Sequence, residues 1–228
     1  MSTDHNHDHD HDHDQSHAVA EIAQASSAFL ASLSAEQKDK ATFNYLDGER
    51  VFWYYPPMNR HGLALIDMDE NQRALAMSIL EVTLDPVAYN RTKQIIDHED
   101  ILGLVEKEAG IVSFVRDTSL YYWTIFGEPG GDDPWSWRAE GHHVSLHFSF
   151  WGDKVIATTP FFFGINPAEV LKGPQAGLRV LSNREDIALE LINSLDSGQR
   201  SRAIVEDAAP SDILTYNASK ALVPKEEG

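Results

Sequence analysis

Imidazole, carboxylate and guanidinium groups are concentrated in one short stretch, WRAEGHHVSLHFS, at residues 137–149. It places Arg138, Glu140, His142, His143 and His147 among side chains that favour β-strands. Histidine titrates near neutral pH and is the commonest metal ligand in proteins, while a neighbouring carboxylate supplies a second ligand or an acid–base partner. The stretch therefore predicts a metal site or an active site at Glu140, His142 and His143.

The spacing of these residues decides which of them could share an ion. If residues 140–150 form one strand, Glu140 and His142 lie on the same face, about 6.6–6.8 Å apart at Cα, and both reach one ion. His143 would join them from the strand end, turned inward by twist or a bulge. His147 lies about 13 Å from His143 in a strand. The alternative is structural: His142 hydrogen-bonds Glu140 at the edge of the core, and the other two histidines face solvent.

Composition limits the chemistry and the partners. The chain has no cysteine, which excludes disulfides, thiolate metal sites and cysteine nucleophiles. The divalent ions that suit histidine and carboxylate ligands are Zn, Fe, Mn, Ni and Cu, and the sequence does not choose among them. The formal net charge of −18 repels phosphate backbones, so we expect no nucleic-acid partner.

The chain shows neither a membrane span nor a signal peptide in its sequence. No apolar run approaches the roughly 20 residues that a spanning helix needs, and the N-terminus lacks a basic region followed by an apolar stretch. We expect a soluble, cytoplasmic protein that does not bind membranes. The oligomeric state stays open.

The domain organisation is predicted from local composition. Residues 1–17, MSTDHNHDHDHDHDQSH, predict a disordered His/Asp-rich tail, which is a metal-loading segment, a purification tag or an extension without a role. Residues 18–228 predict a single α+β domain, because strands and helices fall in blocks, with an antiparallel sheet and helices mainly on one face. The last residues are polar and include no closing apolar element, which leaves open that the domain is truncated at its C-terminus.

Strands and helix starts follow from pattern. Apolar alternation predicts strands at 42–57, 60–68, 119–127, 140–152 and 154–164, with a hairpin turn at Trp151-Gly152-Asp153. Ser34, Asp69 and Asp196 each precede a glutamine by three residues. That spacing predicts three capping boxes rather than catalytic pairs.

Several motifs resemble a known bacterial family. DDPWSWRAEGHHVSLHFS, ATTPFFFGINPAEV and GPQAGLRVLSNREDIALELINSL are similar to the family catalogued as domain of unknown function family 3500, from about Leu30 onward. The resemblance implies a family label without an established activity, and it singles out Trp135, Trp137, Arg138, Glu140, His142 and His143. It also implies that Glu99 could close the site from a helix. His147 departs from the family pattern, which usually has asparagine there.

The first functional hypothesis is a metal-dependent enzyme, with hydrolysis preferred because nothing marks a redox cofactor. A divalent ion at His142, His143 and Glu140 would activate water, and Glu140 and Arg138 would be catalytic, with Arg138 neutralising an anionic group of a small-molecule substrate. Trp135 and Trp137 would wall the pocket.

Two alternative functions and the role of one further residue stay open. Asn166 either binds substrate or caps a short helix before Pro167. The chain could instead be a non-catalytic metal-binding or metal-handling protein loaded through the His/Asp tail. It could also be a binding module without metal that holds a carboxylate ligand.

Overall fold

The computed structural model of the protein describes residues 8–111, 113–218 and 220. The chain divides into two compact units, Met1–Gly164 and Ile165–Gly228. The first unit contains the sheet and every residue that the sequence predicted for a site except Asn166. Within the described ranges, no helix is both long enough and apolar enough to cross a membrane.

The first unit combines four described helices with a sheet. The helices are α1 (Asp8–Ser32), α2 (Ala35–Ala41), α3 (Glu70–Thr83) and α4 (Pro86–Glu108). Part of the predicted tail, residues 8–17, lies in α1, and residues 1–7 lie outside the described residues. The strands are β1 (Thr42–Phe43), β2 (Leu63–Ala64), β3 (Tyr122–Phe126), β4 (Trp135–Gly141), β5 (Val144–Trp151), β6 (Lys154–Ala157) and β7 (Phe161–Phe163).

The strand order in the described part of the sheet is β1-β3-β4-β5-β6, with β2 pairing β3 and β7 pairing β5. The α+β class is confirmed. The sheet is mixed rather than antiparallel throughout, because β1 runs parallel to β3. A parallel pair needs a long connection, and α3 and α4 lie in the chain between these two strands.

The three predicted capping boxes are present. At Ser34, Asp69 and Asp196 the side chain accepts a hydrogen bond from the backbone N–H three residues on, and the glutamine there accepts one from the cap residue's N–H. Each pair satisfies two backbone donors that a helix start would leave unpaired. The predicted turn at Gly152–Asp153 is also present, because Trp151 pairs with Lys154.

The predicted single strand at 140–152 is wrong. Gly141 pairs with Val144, so His142 and His143 form a two-residue turn between β4 and β5. His143, the second residue of the turn, has a φ of +62°, a left-handed conformation that histidine adopts more readily than most residues with a Cβ. Its N–H donates to the Tyr55 carbonyl at 2.9 Å, and its carbonyl accepts from the Gly164 N–H at 2.8 Å. These two bonds hold the turn.

Gly141 is needed because an aromatic ring lies against it. A Cβ at this position would come within 2.2–2.7 Å of the Tyr121 ring. The Tyr121 hydroxyl donates to the carbonyl of His142 at 2.9 Å, which fixes the ring beneath the turn. A side chain at residue 141 would therefore displace the residue that supports the histidine pair.

The register gives the central strands two different faces. Residues directly opposite in an antiparallel pair share a face. One face, here the apolar face, carries Trp123, Ile125, Trp135, Trp137, Ala139, Val144, Leu146, Phe148 and Phe150. The other, here the polar face, carries Thr124, Ser136, Arg138, Glu140, Ser145, His147 and Ser149 together with Tyr122 and Phe126, all of them buried.

The covering segment, residues 44–62, lies over the buried polar face. It was predicted mainly as a strand, 42–57, but only Thr42–Phe43 is one, and a 3-10 helix follows at Gly48–Val51. The strand prediction fails because the backbone of this segment bonds to side chains of the sheet: its carbonyls accept from Arg138, and the N–H of Tyr54 donates to Glu140. Those bonds replace a strand ladder.

The second unit contains two helices in its described part, α5 (Ser182–Ser194) and α6 (Ser197–Ala203). Arg179 holds the start of α5 through Glu185 and Asp186, with N···O distances of 2.7 and 2.6 Å. None of the residues of α5 or α6 is buried.

Candidate functional site

A cavity of about 420 Å³ opens between the covering segment and the polar face. Its wall combines charged, aromatic and thioether groups in one place: Glu49, Phe52, Met58, Asn59, Arg60, His61 and Glu140. A concave site with several convergent polar groups is the usual form of a small-molecule site in proteins. This cavity is therefore the candidate functional site.

A carboxylate–imidazole pair lies in the cavity wall. Nδ1 of His61 is 2.8 Å from Oε2 of Glu49, and Oε1 of Glu49 is 2.6 Å from Nη2 of Arg138. The His61 side chain is 70% exposed, and Nε2 has no hydrogen bond to any described residue. An ionised carboxylate accepts and does not donate. In the neutral imidazole this contact places the proton on Nδ1, where Glu49 accepts it, and leaves a lone pair on Nε2 that points away from Glu49.

Gly62 brings His61 close to the sheet. Its φ is +112°, and a Cβ there would lie 2.5 Å from the Thr124 hydroxyl and 3.0 Å from the Trp123 carbonyl. Only glycine allows the covering segment to approach β3 so closely at this point. The ring of His61 then packs 5.9 Å from that of Phe43, measured between centroids.

Glu140 lies at the floor of the cavity and is almost fully buried. Its Oε1 accepts from the Tyr54 N–H at 2.8 Å and from the Ser145 hydroxyl at 2.7 Å, and its Oε2 is 3.4 Å from Nε of Arg60. Burial alone would raise the pKa of Glu140, but the neighbouring His147 imidazole and Arg138 guanidinium outweigh it and lower the pKa below its usual value. Glu140 is consequently an anion at neutral pH and not a proton donor.

His147 lies behind Glu140, on the polar face. Its Nε2 is 3.8 Å from Oε1 of Glu140, which is beyond hydrogen-bond length. Burial lowers the pKa of His147. The imidazole is therefore neutral at neutral pH, and the charged residues of the polar face itself are Arg138 and Glu140.

A second cluster lies at the tip of the β4–β5 hairpin and joins it to α4. His142 contacts the carboxylate of Glu99 through Nδ1, and Nη1 of Arg116 is 3.1 Å from the same nitrogen. Arg116 also forms a bidentate pair with Glu106: its Nε donates to Oε2 at 2.8 Å and its Nη2 donates to Oε1 at 2.6 Å. That hydrogen bond lowers the pKa of Glu106. We call these residues, with His143, the hairpin-tip cluster.

His143 completes the hairpin-tip cluster by stacking on His142. The two ring centroids are 3.7 Å apart and the planes are inclined by 27°. Burial, together with the charges of His142 and Arg116, lowers the pKa of His143 to about 3. His143 is thus a neutral imidazole at neutral pH.

The structure separates the predicted metal ligands into two groups. His142 and His143 lie together, whereas Glu140 makes its contacts on the polar face with Tyr54, Ser145 and Arg60. Because the turn breaks the strand, Glu140 and His142 do not share a face. Within the described residues, no three His, Asp or Glu side chains form a group that could hold a metal ion.

The other predicted site residues have different positions. Arg138 is fully buried, and its Nη1 and Nη2 donate to the covering segment. Trp135 and Trp137 lie on the apolar face, stacked on Phe150 and Phe148, so they do not wall the cavity. Asn166 belongs to the second unit and precedes a cis proline.

Several residues of the two clusters were missed by sequence reasoning. Glu49 lies in the segment predicted as an aromatic strand, 42–57, and Arg60 and His61 begin the next predicted strand, 60–68. Arg116 comes from a connection without a pattern. The dipeptide Arg60-His61 was the available signal, since a guanidinium next to an imidazole is unusual beside a buried strand. Glu99, which the family resemblance implied as a helix-borne carboxylate, does reach His142.

Comparison with protein families gives one match. The model of the family described as "Protein of unknown function (DUF3500)" matches residues 15–228. The chain belongs to this family. The match covers both compact units, and neither the curated proteins nor the solved structures contain a match to this chain.

The lowered pKa of Glu140 gives a prediction for acid stability. A carboxyl group whose pKa is lowered in the folded state stabilises the fold above its unfolded pKa, and this stability is lost as the pH falls through the lowered value. We expect Glu140→Gln to cost about 3–5 kcal/mol at neutral pH, because Arg60 loses its ionic partner. We also expect the unfolding free energy of the variant to fall less steeply than wild type between about pH 6 and pH 3.

Urea unfolding at a series of pH values measures both effects, with Glu81→Gln, an exposed carboxylate on α3, as control. Equal pH slopes for wild type and Glu140→Gln would show that the Glu140 carboxylate is not held in its ionised form by the fold.

Proposed function

We propose that the chain is a hydrolytic enzyme that acts on a small molecule in the cytoplasm, with His61 as its general base. The observation that carries the proposal is the Arg138–Glu49–His61 series, which leaves Nε2 of His61 without a hydrogen bond among the described residues, in the wall of a cavity of about 420 Å³. A histidine oriented by a carboxylate through Nδ1 is suited to take a proton through Nε2.

Water is the nucleophile that best fits these residues. The chain has no cysteine, and its sequence contains neither a GxSxG elbow nor a glycine-rich phosphate loop. His61 would remove a proton from water as its oxygen attacks the substrate carbonyl, and then return the proton to the leaving group. Proton transfer of this kind contributes about 10²–10⁴-fold to a rate.

Arg138 acts in this proposal as a positioning residue. Its guanidinium is 1% exposed, so it does not reach a substrate in the cavity. Its bond to Glu49 orients the carboxylate that in turn orients His61. Glu140 and Arg60 contact the cavity directly and form an ion pair at its floor.

The test is turnover by the wild-type protein and three variants on a panel of small esters, amides and phosphates. We expect His61→Gln to lower turnover by about 10²–10⁴-fold and Glu49→Gln to lower it by a smaller factor, because the imidazole stays but loses its orientation. His17→Gln is the matched control, since that histidine is exposed on α1. Turnover by His61→Gln equal to that of wild type would contradict the proposal.

A second candidate is a divalent metal ion at the hairpin-tip cluster. A carboxylate that binds Nδ1 of a histidine is the arrangement that commonly orients metal-ligating imidazoles, and Glu99 is placed in this way on His142. His143, a neutral imidazole stacked on His142, would be the second ligand. Water molecules would complete the coordination, and Zn, Fe, Mn, Ni and Cu suit such ligands.

Elemental analysis separates this candidate from the first. The protein is purified with His5, His7, His9, His11 and His13 replaced by asparagine, so that the N-terminal tract does not contribute metal. The second candidate predicts one ion per chain, its loss in His142→Ala and its retention in His61→Ala. Metal-free protein, or metal retained in His142→Ala, would rule it out.

A further inference from the structure

We propose that the cavity binds a small organic cation, namely a primary ammonium or guanidinium group carried on an apolar body. The inference rests on the proposed function, because it assigns a substrate class to the same cavity. It follows from which hydrogen-bonding groups of the cavity wall are already occupied and which are not.

Three of the four N–H groups at the Nη atoms of Arg60 are directed at backbone carbonyls. Nη1 donates to the carbonyl of Met58 at 2.8 Å. Nη2 donates to the carbonyls of Tyr54, Pro56 and Gly141. Its Nε faces Glu140 without a hydrogen bond. An anionic ligand would therefore meet a cation whose Nη2 is fully engaged by the backbone, whose Nη1 has one N–H left, and whose charge is balanced by Glu140.

The guanidinium of Arg138 is engaged in the same way. Nη1 donates to the carbonyls of Glu49 and Phe52 at 3.1 and 2.8 Å, and Nη2 to the Glu49 carboxylate and the His61 carbonyl at 2.6 and 3.4 Å. It is behind the cavity wall and almost without solvent exposure. Neither arginine therefore offers the pair of parallel N–H donors with which arginine binds a carboxylate or a phosphate in bidentate fashion.

Acceptors, in contrast, are available. Oε2 of Glu140 accepts no hydrogen bond from the described residues, although the side chain is 1% exposed and lines the cavity. A carboxylate oxygen has two lone-pair positions, and each oxygen of Glu49 has one side-chain partner, Arg138 or His61. A ligand that donates several N–H groups therefore fits this wall better than a ligand that only accepts.

The rim of the cavity adds an apolar component. Phe52 and Met58 are 47% and 44% exposed although both line the cavity. An aromatic face attracts a cation, and a thioether packs against irregular apolar groups. The formal net charge of −18 also raises the concentration of cations around the protein. The charge of the ligand is therefore positive, and its body is apolar.

The test compares three probes of the same size on the full chain: benzylamine, benzyl alcohol and benzoate. Isothermal titration calorimetry should show saturable binding of benzylamine to one site per chain, with benzyl alcohol and benzoate at least about tenfold weaker. Equal binding of benzyl alcohol would identify a neutral hydroxyl ligand and overturn the proposal. Tighter binding of benzoate, or no saturable binding of benzylamine, would overturn it as well.

Variants connect the binding to the cavity. Glu140→Gln should weaken benzylamine at least about tenfold, and because this change also perturbs the fold, Phe52→Ala serves as the second variant. Phe52 is half exposed, so its removal leaves the core intact while weakening benzylamine several-fold. Leu46→Ala is the matched control, because Leu46 is 87% exposed on the same segment and is not in the cavity wall. Equal affinity for benzylamine in wild type and Phe52→Ala would overturn the proposal.

His61→Gln separates this inference from the proposed function. It should lower turnover by about 10²–10⁴-fold and retain benzylamine binding. Loss of turnover in a protein that does not bind benzylamine contradicts the inference alone. Binding of benzylamine with unchanged turnover in His61→Gln contradicts the proposed function alone.

Discussion

The buried guanidinium of Arg138 is the interaction on which the site depends. A buried charge is costly unless hydrogen bonds and an opposite charge compensate it. Here the compensation comes from the covering segment: the Glu49 carboxylate and the carbonyls of Glu49, Phe52 and His61. The covering segment has no strand ladder to hold it, so Arg138 attaches it to the sheet. The same bonds position Glu49 and His61. Glu140 adds a second attachment through Tyr54.

The EGHH motif has four separate roles, which explains why it looked like a single metal site in the sequence. Glu140 holds the covering segment, Gly141 makes room for the Tyr121 ring, His142 binds Glu99 of α4, and His143 supplies the positive φ of the turn. Residue types and local spacing predicted the concentration of polar groups correctly. They did not predict the turn, because His-His lacks the glycine or asparagine that usually marks one.

Local patterns predicted the parts of the fold that local chemistry determines. The three capping boxes and the Gly152–Asp153 turn each depend on a few adjacent residues. The covering segment was mistaken for a strand because its partners, Arg138 and Glu140, are about 80–90 residues away in the chain. Trp135 and Trp137 were assigned to the pocket for a similar reason, since alternation does not say which face of a strand a cavity adjoins. The site could be located only once the pairing register of β3, β4 and β5 was known.

Amide hydrogen exchange in the variant Arg138→Lys tests the role of Arg138 most directly. Lysine keeps the charge but lacks the fork of donors that binds Glu49, Phe52 and His61 together. We expect the amides of residues 49–54 to exchange at least about tenfold faster than in wild type, while those of β3, β4 and β5 keep their protection. Unchanged exchange in the covering segment would contradict the account, and so would an equal loss of protection throughout the sheet.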